Sequence, residues 1–146
     1  MPRLLVDANI FLELELSQSK SAECKDFLRS IASGKMKAAT TDFILDSVAV
    51  VMEDRDSPAA DIKRFFASLT LYKGLLVHNL GVKGRLLAAE EMEGNRLSFD
   101  DSTSVAAMKR LGIKEIVSFD HDFDKVRAIT RIEPKTAQSR LGRPKP

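Results

Sequence analysis

The sequence has a single cysteine, Cys24, so no internal disulfide can form, and a reducing cytoplasm is the expected compartment. It has only two histidines, His78 and His121, too few for a histidine-rich metal site. Any metal would have to be held by carboxylates, whose oxygens select hard cations such as Mg²⁺ or Mn²⁺. No apolar run approaches the length of about 18 residues that a membrane span needs. No apolar signal segment is visible either, because Met1-Pro2-Arg3 leads straight into a strand. The 146 residues, 44% hydrophobic and 30% charged, suit one globular domain with room for a real core.

Charge is unevenly placed. From Lys125 to Pro146 there are seven Lys or Arg and one Glu, a local +6, so Met1 to Asp124 carries 16 basic and 20 acidic residues, a local −4. An acidic body with a basic tail is not a general nucleic-acid-binding surface. It suits an acidic site beside a basic arm that guides a polyanion. Residues 133–146 contain prolines, a glycine and cations without periodicity, and read as a flexible tail after a domain spanning 1–132.

Arg3 to Val6 has the length of a buried strand and stops at Asp7, where a helix begins. Asp7 is therefore either a helix cap or a functional carboxylate at a sheet edge. Cys24, Phe27, Leu28 and Ile31 share a helical face, which makes Cys24 a core residue. Lys37 to Thr41 is a weak second strand. Asp42 to Glu53 follows as a helix, with Ile44, Leu45, Val48, Val51 and Met52 inward and Asp46 outward. Pro58 begins another helix, whose Phe65 and Phe66 belong to the core. Leu75 to Val77 is a third strand, and a helix runs from about Val82 to Glu93. Lys83 and Arg85 on that helix are surface residues within reach of a phosphate, while Glu90, Glu91 and Glu93 read as a solvated helix end.

Leu97 to Asp124 forms the most informative unit. Phe99 to Ser102 opens a helix that Gly112 closes, Ile116 to Phe119 is a buried strand, and Asp120 follows it. Ala128 to Ile132 is a last edge strand. Strands and helices alternate throughout, which implies an α/β fold with a mostly parallel central sheet flanked by helices. Asp7, Asp101 and Asp120 all fall at strand ends or helix starts, where open α/β sheets bind ligands.

Leu5-Val6-Asp7-Ala8-Asn9, Leu97-Ser98-Phe99-Asp100-Asp101-Ser102 and Ser118-Phe119-Asp120-His121-Asp122-Phe123 resemble the three acidic motifs of PIN domains. The resemblance runs from Arg3 to about Val126 and is strongest to the VapC-type toxin ribonucleases. It implies a three-layer PIN-like fold and an Mg²⁺- or Mn²⁺-dependent endoribonuclease acting on RNA. It also implies a homodimer and a VapB-type antitoxin partner. The family's acidic positions fall on Asp7, Asp101 and Asp120, which become the implied catalytic and metal-binding residues. Asp100 precedes the matching position and is expected to point elsewhere. Asn9 and Ser118 match small polar positions beside the acidic ones.

One position departs from the pattern. The family's helix after the second strand usually carries a Glu six residues beyond a Ser or Thr, and counting from Thr41 places Ser47 there. Asp46 is one residue away, about 100° round the helix.

Two carboxylates about 5 Å apart repel by roughly 3 kcal/mol at an effective dielectric near 20, a cost that a divalent cation relieves. The alternative reading is a catalytically weakened PIN-like module that binds RNA or a protein, motivated by Ser47. A receiver domain fits poorly without a paired acidic motif after the first strand. A haloacid-dehalogenase-type phosphatase fits poorly because position 9 is Asn9.

Overall fold

Five short strands pair side by side in one parallel sheet: β1 (Leu4–Val6), β2 (Ala38–Thr41), β3 (Leu75–His78), β4 (Glu115–Val117) and β5 (Thr130–Ile132). Their spatial order is β3-β2-β1-β4-β5, and every neighbouring pair is parallel. The computed structural model describes residues 1–141. Among them are seven helices: α1 (Ala8–Glu15), α2 (Ser21–Ala32), α3 (Asp42–Asp54), α4 (Ala59–Leu69), α5 (Gly81–Asn95), α6 (Phe99–Leu111) and α7 (Pro134–Ser139). None is long and apolar enough to cross a membrane.

The path of the chain sets the layers. It steps from β1 to β2 to β3 in one direction, then returns to β4 and β5 on the other side of β1. Right-handed crossovers put α1–α4 on one face and α5–α6 on the other. The packing agrees: α1 meets α2 and α3, α3 meets α4, and α5 lies along α6. The direction of winding reverses between β1 and β4, and a crevice opens outside the carboxyl ends of those strands. Leu5, Val6, Ile116 and Val117 in the two central strands are fully buried, as a sheet covered on both faces requires.

The weakest strand candidate is a central strand. Ala38 to Thr41 are all buried beside β1. Small side chains suffice there because helices cover both faces. The two threonine hydroxyls are satisfied within the fold: Thr40 Oγ1 donates to Val6 O at 3.0 Å, and Thr41 Oγ1 accepts from Ile44 N at 3.0 Å, capping α3. Gly74, just before β3, is required sterically, since a Cβ there would stand 2.1 Å from Met36 O.

Two expectations need correction. Strand β4 ends at Val117, and Ser118 to Asp120 form a connection into a 3₁₀ turn, His121–Lys125. The supposed flexible tail is helical over Pro134–Ser139. Pro134 begins α7, where its missing N–H costs nothing, and Pro134 and Ala137 are buried as the helix packs on α2. Ser30 Oγ donates to Gln138 Oε1 at 3.0 Å, and Arg140 grips Glu115 through two bonds of 2.7 and 2.9 Å. Tertiary burial supplies what local periodicity lacked. The rest of the expected tail, 142–146, lies outside the described residues.

Candidate active site

Asp7 leaves β1 in extended conformation and caps α1, accepting from Ala8 N at 2.8 Å through Oδ1. The cap does not consume the side chain, because Oδ2 receives the Ser118 hydroxyl at 2.6 Å and the Asn9 amide at 3.3 Å. Ser118 is the junction of the site. Its buried Oγ donates to Asp7 and accepts from Asn9 Nδ2 at 3.1 Å and from Asp120 N at 3.0 Å. Asn9 Oδ1 in turn accepts from Phe119 N at 3.3 Å. The end of β1 is thereby tied to the connection that follows β4.

Asp101 is the third residue of α6. The cap of that helix is Ser98, whose Oγ accepts from Asp101 N at 3.2 Å, so the Asp101 carboxylate is not needed for capping. Asp120 caps the 3₁₀ turn, its Oδ1 accepting from Asp122 N at 2.9 Å. Carboxylate oxygens of Asp101, Asp120 and Asp122 all lie within 4.8 Å of one another.

Asp7, Asp101 and Asp120 line one crevice of about 210 Å³, together with Asp100, Ser104 and residues of α1 and α3. The three carboxylates singled out by sequence are thus neighbours, although Asp7 stands outside the tight trio. Two further carboxylates were missed. Asp100 was expected to point away, yet it lines the crevice, because the first turn of α6 opens onto the sheet edge. Asp122 joins the trio through the local turn that Asp120 caps, a geometry for which the Asp120-His121-Asp122 spacing was the available signal. Asp122 also pairs with Lys125 at 3.3 Å.

Electrostatics mark the same place. Burial pushes the Asp101 carboxyl up to about 7, with the charges of Asp120 and Asp7 adding to the rise. Asp7 is raised above the usual carboxylate range, first by burial, against the lowering effect of the Ser118 and Ala8 bonds. Raised carboxylates crowded into one crevice are a mark of a functional site. A hard divalent cation fits the donor set, which is all oxygen, close-spaced and free of histidine or thiolate.

The fourth position resolves clearly. Ser47 lines the crevice, its Oγ donating to Phe43 O at 2.8 Å, while Asp46 is exposed and outside the lining. A helix turns about 100° per residue, so adjacent positions cannot exchange places. The histidines stay out of the cluster, and Cys24 is fully buried with its thiol pushed up to about 12 by burial. Neither a nucleophilic thiol nor an imidazole base is offered to this crevice.

The second acidic connection has its own brace. Arg131 on β5, its side chain only 11% exposed, donates to Ser118 O at 3.0 Å and to Asp124 Oδ1 at 3.1 Å. Its Nη2 lies 3.1 Å from His121 Nδ1, and Glu133 is at 3.5 Å. Several cations of the basic C-terminal stretch are therefore engaged in ion pairs: Lys125, Arg131 and Arg140.

A parallel five-stranded sheet with clustered carboxylates at its switch point defines a class, and comparison with known proteins identifies it. The PIN domain model matches residues 4–129, and the chain belongs to the PIN-domain family. Among solved structures it is similar to Mycobacterium tuberculosis VapC20, described as a sarcin–ricin loop cleaving toxin. That match has 23% identity and a TM-score of 0.66, covering 83% of this chain and 92% of that one. A chain of a Klebsiella pneumoniae toxin–antitoxin complex matches at 15% identity and TM-score 0.64, covering 90% and 97%. A chain of Rickettsia felis VapBC2 bound to a promoter DNA fragment matches at 12% identity and TM-score 0.62, covering 89% and 97%. At these identities the likeness is one of fold. No curated protein matches the sequence significantly.

Proposed function

We propose that this chain is an Mg²⁺- or Mn²⁺-dependent endoribonuclease, a toxin of the VapC type. The observation that carries the reading is the convergence of Asp7, Asp101, Asp120 and Asp122 on the carboxyl edge of a PIN-family sheet. Family membership supports the reaction class, and the clustered carboxylates support the proposed location. Asp7, Asp101 and Asp120 are the proposed metal and catalytic residues, and the geometry adds Asp122 to them.

Each residue has a defined task. Ser118 and Asn9 hold the Asp7 carboxylate at a fixed angle and leave acceptor capacity on its oxygens. Asp101, whose carboxyl burial raises to about 7, must be deprotonated to act as a ligand. The crevice, of about 210 Å³, is smaller than the roughly 300 Å³ or more usual for small-molecule pockets. A bound divalent cation would supply Lewis acidity toward a phosphodiester and lower the pKa of a water.

A VapB-type antitoxin and a second copy of the chain are the partners this reading implies. The similar chain from Klebsiella comes from a toxin–antitoxin complex, and the one from Rickettsia from VapBC2 bound to a promoter DNA fragment. Exposed Leu76 and Val77 on β3, with Val82 and Leu86 on α5, supply apolar surface for such contacts.

The second reading, a weakened module that binds RNA or a protein without cutting, is motivated by Ser47 on the crevice wall. One experiment separates the two. Mixed structured RNAs are incubated with the protein and Mg²⁺ or Mn²⁺, with EDTA, and with Asp101→Asn. The nuclease reading expects cleavage that requires metal and falls by about two orders of magnitude or more in the variant. Absent cleavage, together with no metal-induced rise in melting temperature, favours the binding module.

A further inference from the structure

We propose that Phe43 and Arg85 form a nucleotide subsite on the α3 wall of the crevice. The base stacks on the Phe43 ring, and a neighbouring phosphate meets the Arg85 guanidinium. This rests on the nuclease reading and names residues that hold the substrate beside the carboxylates.

The crevice is electrically one-sided. Its carboxylates come from the end of β1, from α6 and from the segment after β4, whereas α3 contributes Phe43, Ile44 and Ser47, none of them charged. A polyanion crossing the opening meets negative charge on one wall and a neutral, partly aromatic surface on the other.

Phe43 is not there as core. Among the described residues the hydrophobic core and the side chains packed on it include neither Phe43 nor Phe99. The two rings meet edge to face, with centroids 5.9 Å apart and planes at 90°. Phe99 opens α6 two residues before Asp101. This contact packs the Phe43 ring against the first residue of the helix that presents the carboxylate. An aromatic ring outside the core, partly exposed and lining a catalytic crevice, is suited to stacking an unpaired base.

Arg85 completes the subsite. Its guanidinium carbon lies over the Phe43 ring, 6.0 Å from the centroid, and one Nη donates to Gly81 O at 3.0 Å. Among the described residues it forms no ion pair, although carboxylates crowd the nearby crevice. A guanidinium has five N–H donors, so this one retains donors for a phosphate.

The test uses a mixed-sequence single-stranded RNA of about ten nucleotides, within the usual site size for such grooves, carrying 2-aminopurine at each position in turn. The protein is the full chain as Asp101→Asn, which keeps the RNA intact. With Phe43 present, quenching of 2-aminopurine at one position is expected. Phe43→Leu should abolish that quenching and weaken binding about tenfold, the scale of one lost base stack. Phe43→Tyr, which keeps a ring, should retain both and shows that folding is not the cause. Arg85→Gln should weaken binding while the quenching persists, and should reduce the salt slope by about 0.7, one phosphate contact on a single strand. Quenching that survives Phe43→Leu, is lost in Phe43→Tyr, or never occurs with Phe43 present overturns the proposal. Cleavage by protein with Asp101 intact separates this outcome from the nuclease reading. Metal-dependent cleavage with unchanged KM in Phe43→Leu removes the subsite alone, and Phe43-dependent quenching without cleavage removes the nuclease alone.

Discussion

Ser47 ends at the crevice wall and gives its hydroxyl proton to the Phe43 carbonyl one turn back. That bond is local and dispensable, and the side chain brings no charge to a site made of carboxylates. Substituting Ser47→Glu should add a carboxylate on the α3 side and tighten Mn²⁺ binding about tenfold, comparable to the effect of altering one supporting group at a metal site. It should also lower the metal-free melting temperature, because one more carboxylate enters a repulsive cluster. Asp46→Asn should leave both quantities unchanged, since Asp46 is exposed to solvent and stands outside the crevice. Isothermal titration with Mn²⁺ on the three proteins decides it. Weaker binding by Asp46→Asn would mean that α3 rotates to present Asp46.

Among the elements, the segment between β4 and β5 is the most dependent on its neighbours. Strand β4 has three residues and the 3₁₀ turn five, too few for either to hold its shape alone. Arg131 supplies the brace by reaching Ser118 O, Asp124 and His121 from β5, and Ser118 in turn fixes Asp7 and the backbone of Asp120. Arg131→Gln should therefore loosen Asp120 and Asp122 together and weaken Mn²⁺ binding about ten- to hundredfold, as loss of outer support does at metal sites. Arg131→Lys keeps the charge but not the forked geometry, and should recover only part of the loss. A Gln variant that melts earlier yet binds Mn²⁺ as tightly as the parent would reduce Arg131 to a purely structural brace.

For the molecule as a whole, the crevice makes stability depend on pH and on cations. Asp101 has a folded-state pKa of about 7 against an ordinary value of 3.8, and Asp7 is shifted the same way. Between those values the folded chain holds a proton that the unfolded chain has given up, so this contribution to stability is lost as pH rises toward 7. Exposed Asp124 is lowered by Arg131 and acts in the opposite sense, below its ordinary value of 3.8. Without divalent metal, the melting temperature of the parent should therefore fall relative to Asp101→Asn between pH 5 and 7.5, a range bracketing the Asp101 value of about 7. Mn²⁺ should raise the parent's melting temperature more at the upper pH than at the lower, because its ligands must be deprotonated. Melting curves of both proteins at both pH values, with and without Mn²⁺, test this. Parallel behaviour of the two would show that Asp101 does not titrate in this range.

Much of this protein was legible in its residues because the relevant signals are local. Buried runs such as Leu4–Val6, the apolar stripe of α3 and the Gly112 stop of α6, with φ +69°, depend on neighbours a few positions away. Their alternation alone implied a parallel sheet, and the placement of Asp7, Asp101 and Asp120 at element boundaries put those three at its edge. The tertiary structure decided everything that depends on contacts distant in the chain. Packing against α2 made Pro134–Ser139 a helix, and two covered faces made Ala38–Thr41 a central strand. The outward face of Asp46 was legible in the stripe of α3, but packing at the sheet edge made Ser47 part of the crevice wall, and the turn after Asp120 brought Asp122 to Asp101. Periodicity shows which side of an element is apolar. Which polar side chains meet across a sheet edge depends on strand order, and strand order is set by the packing of the whole chain.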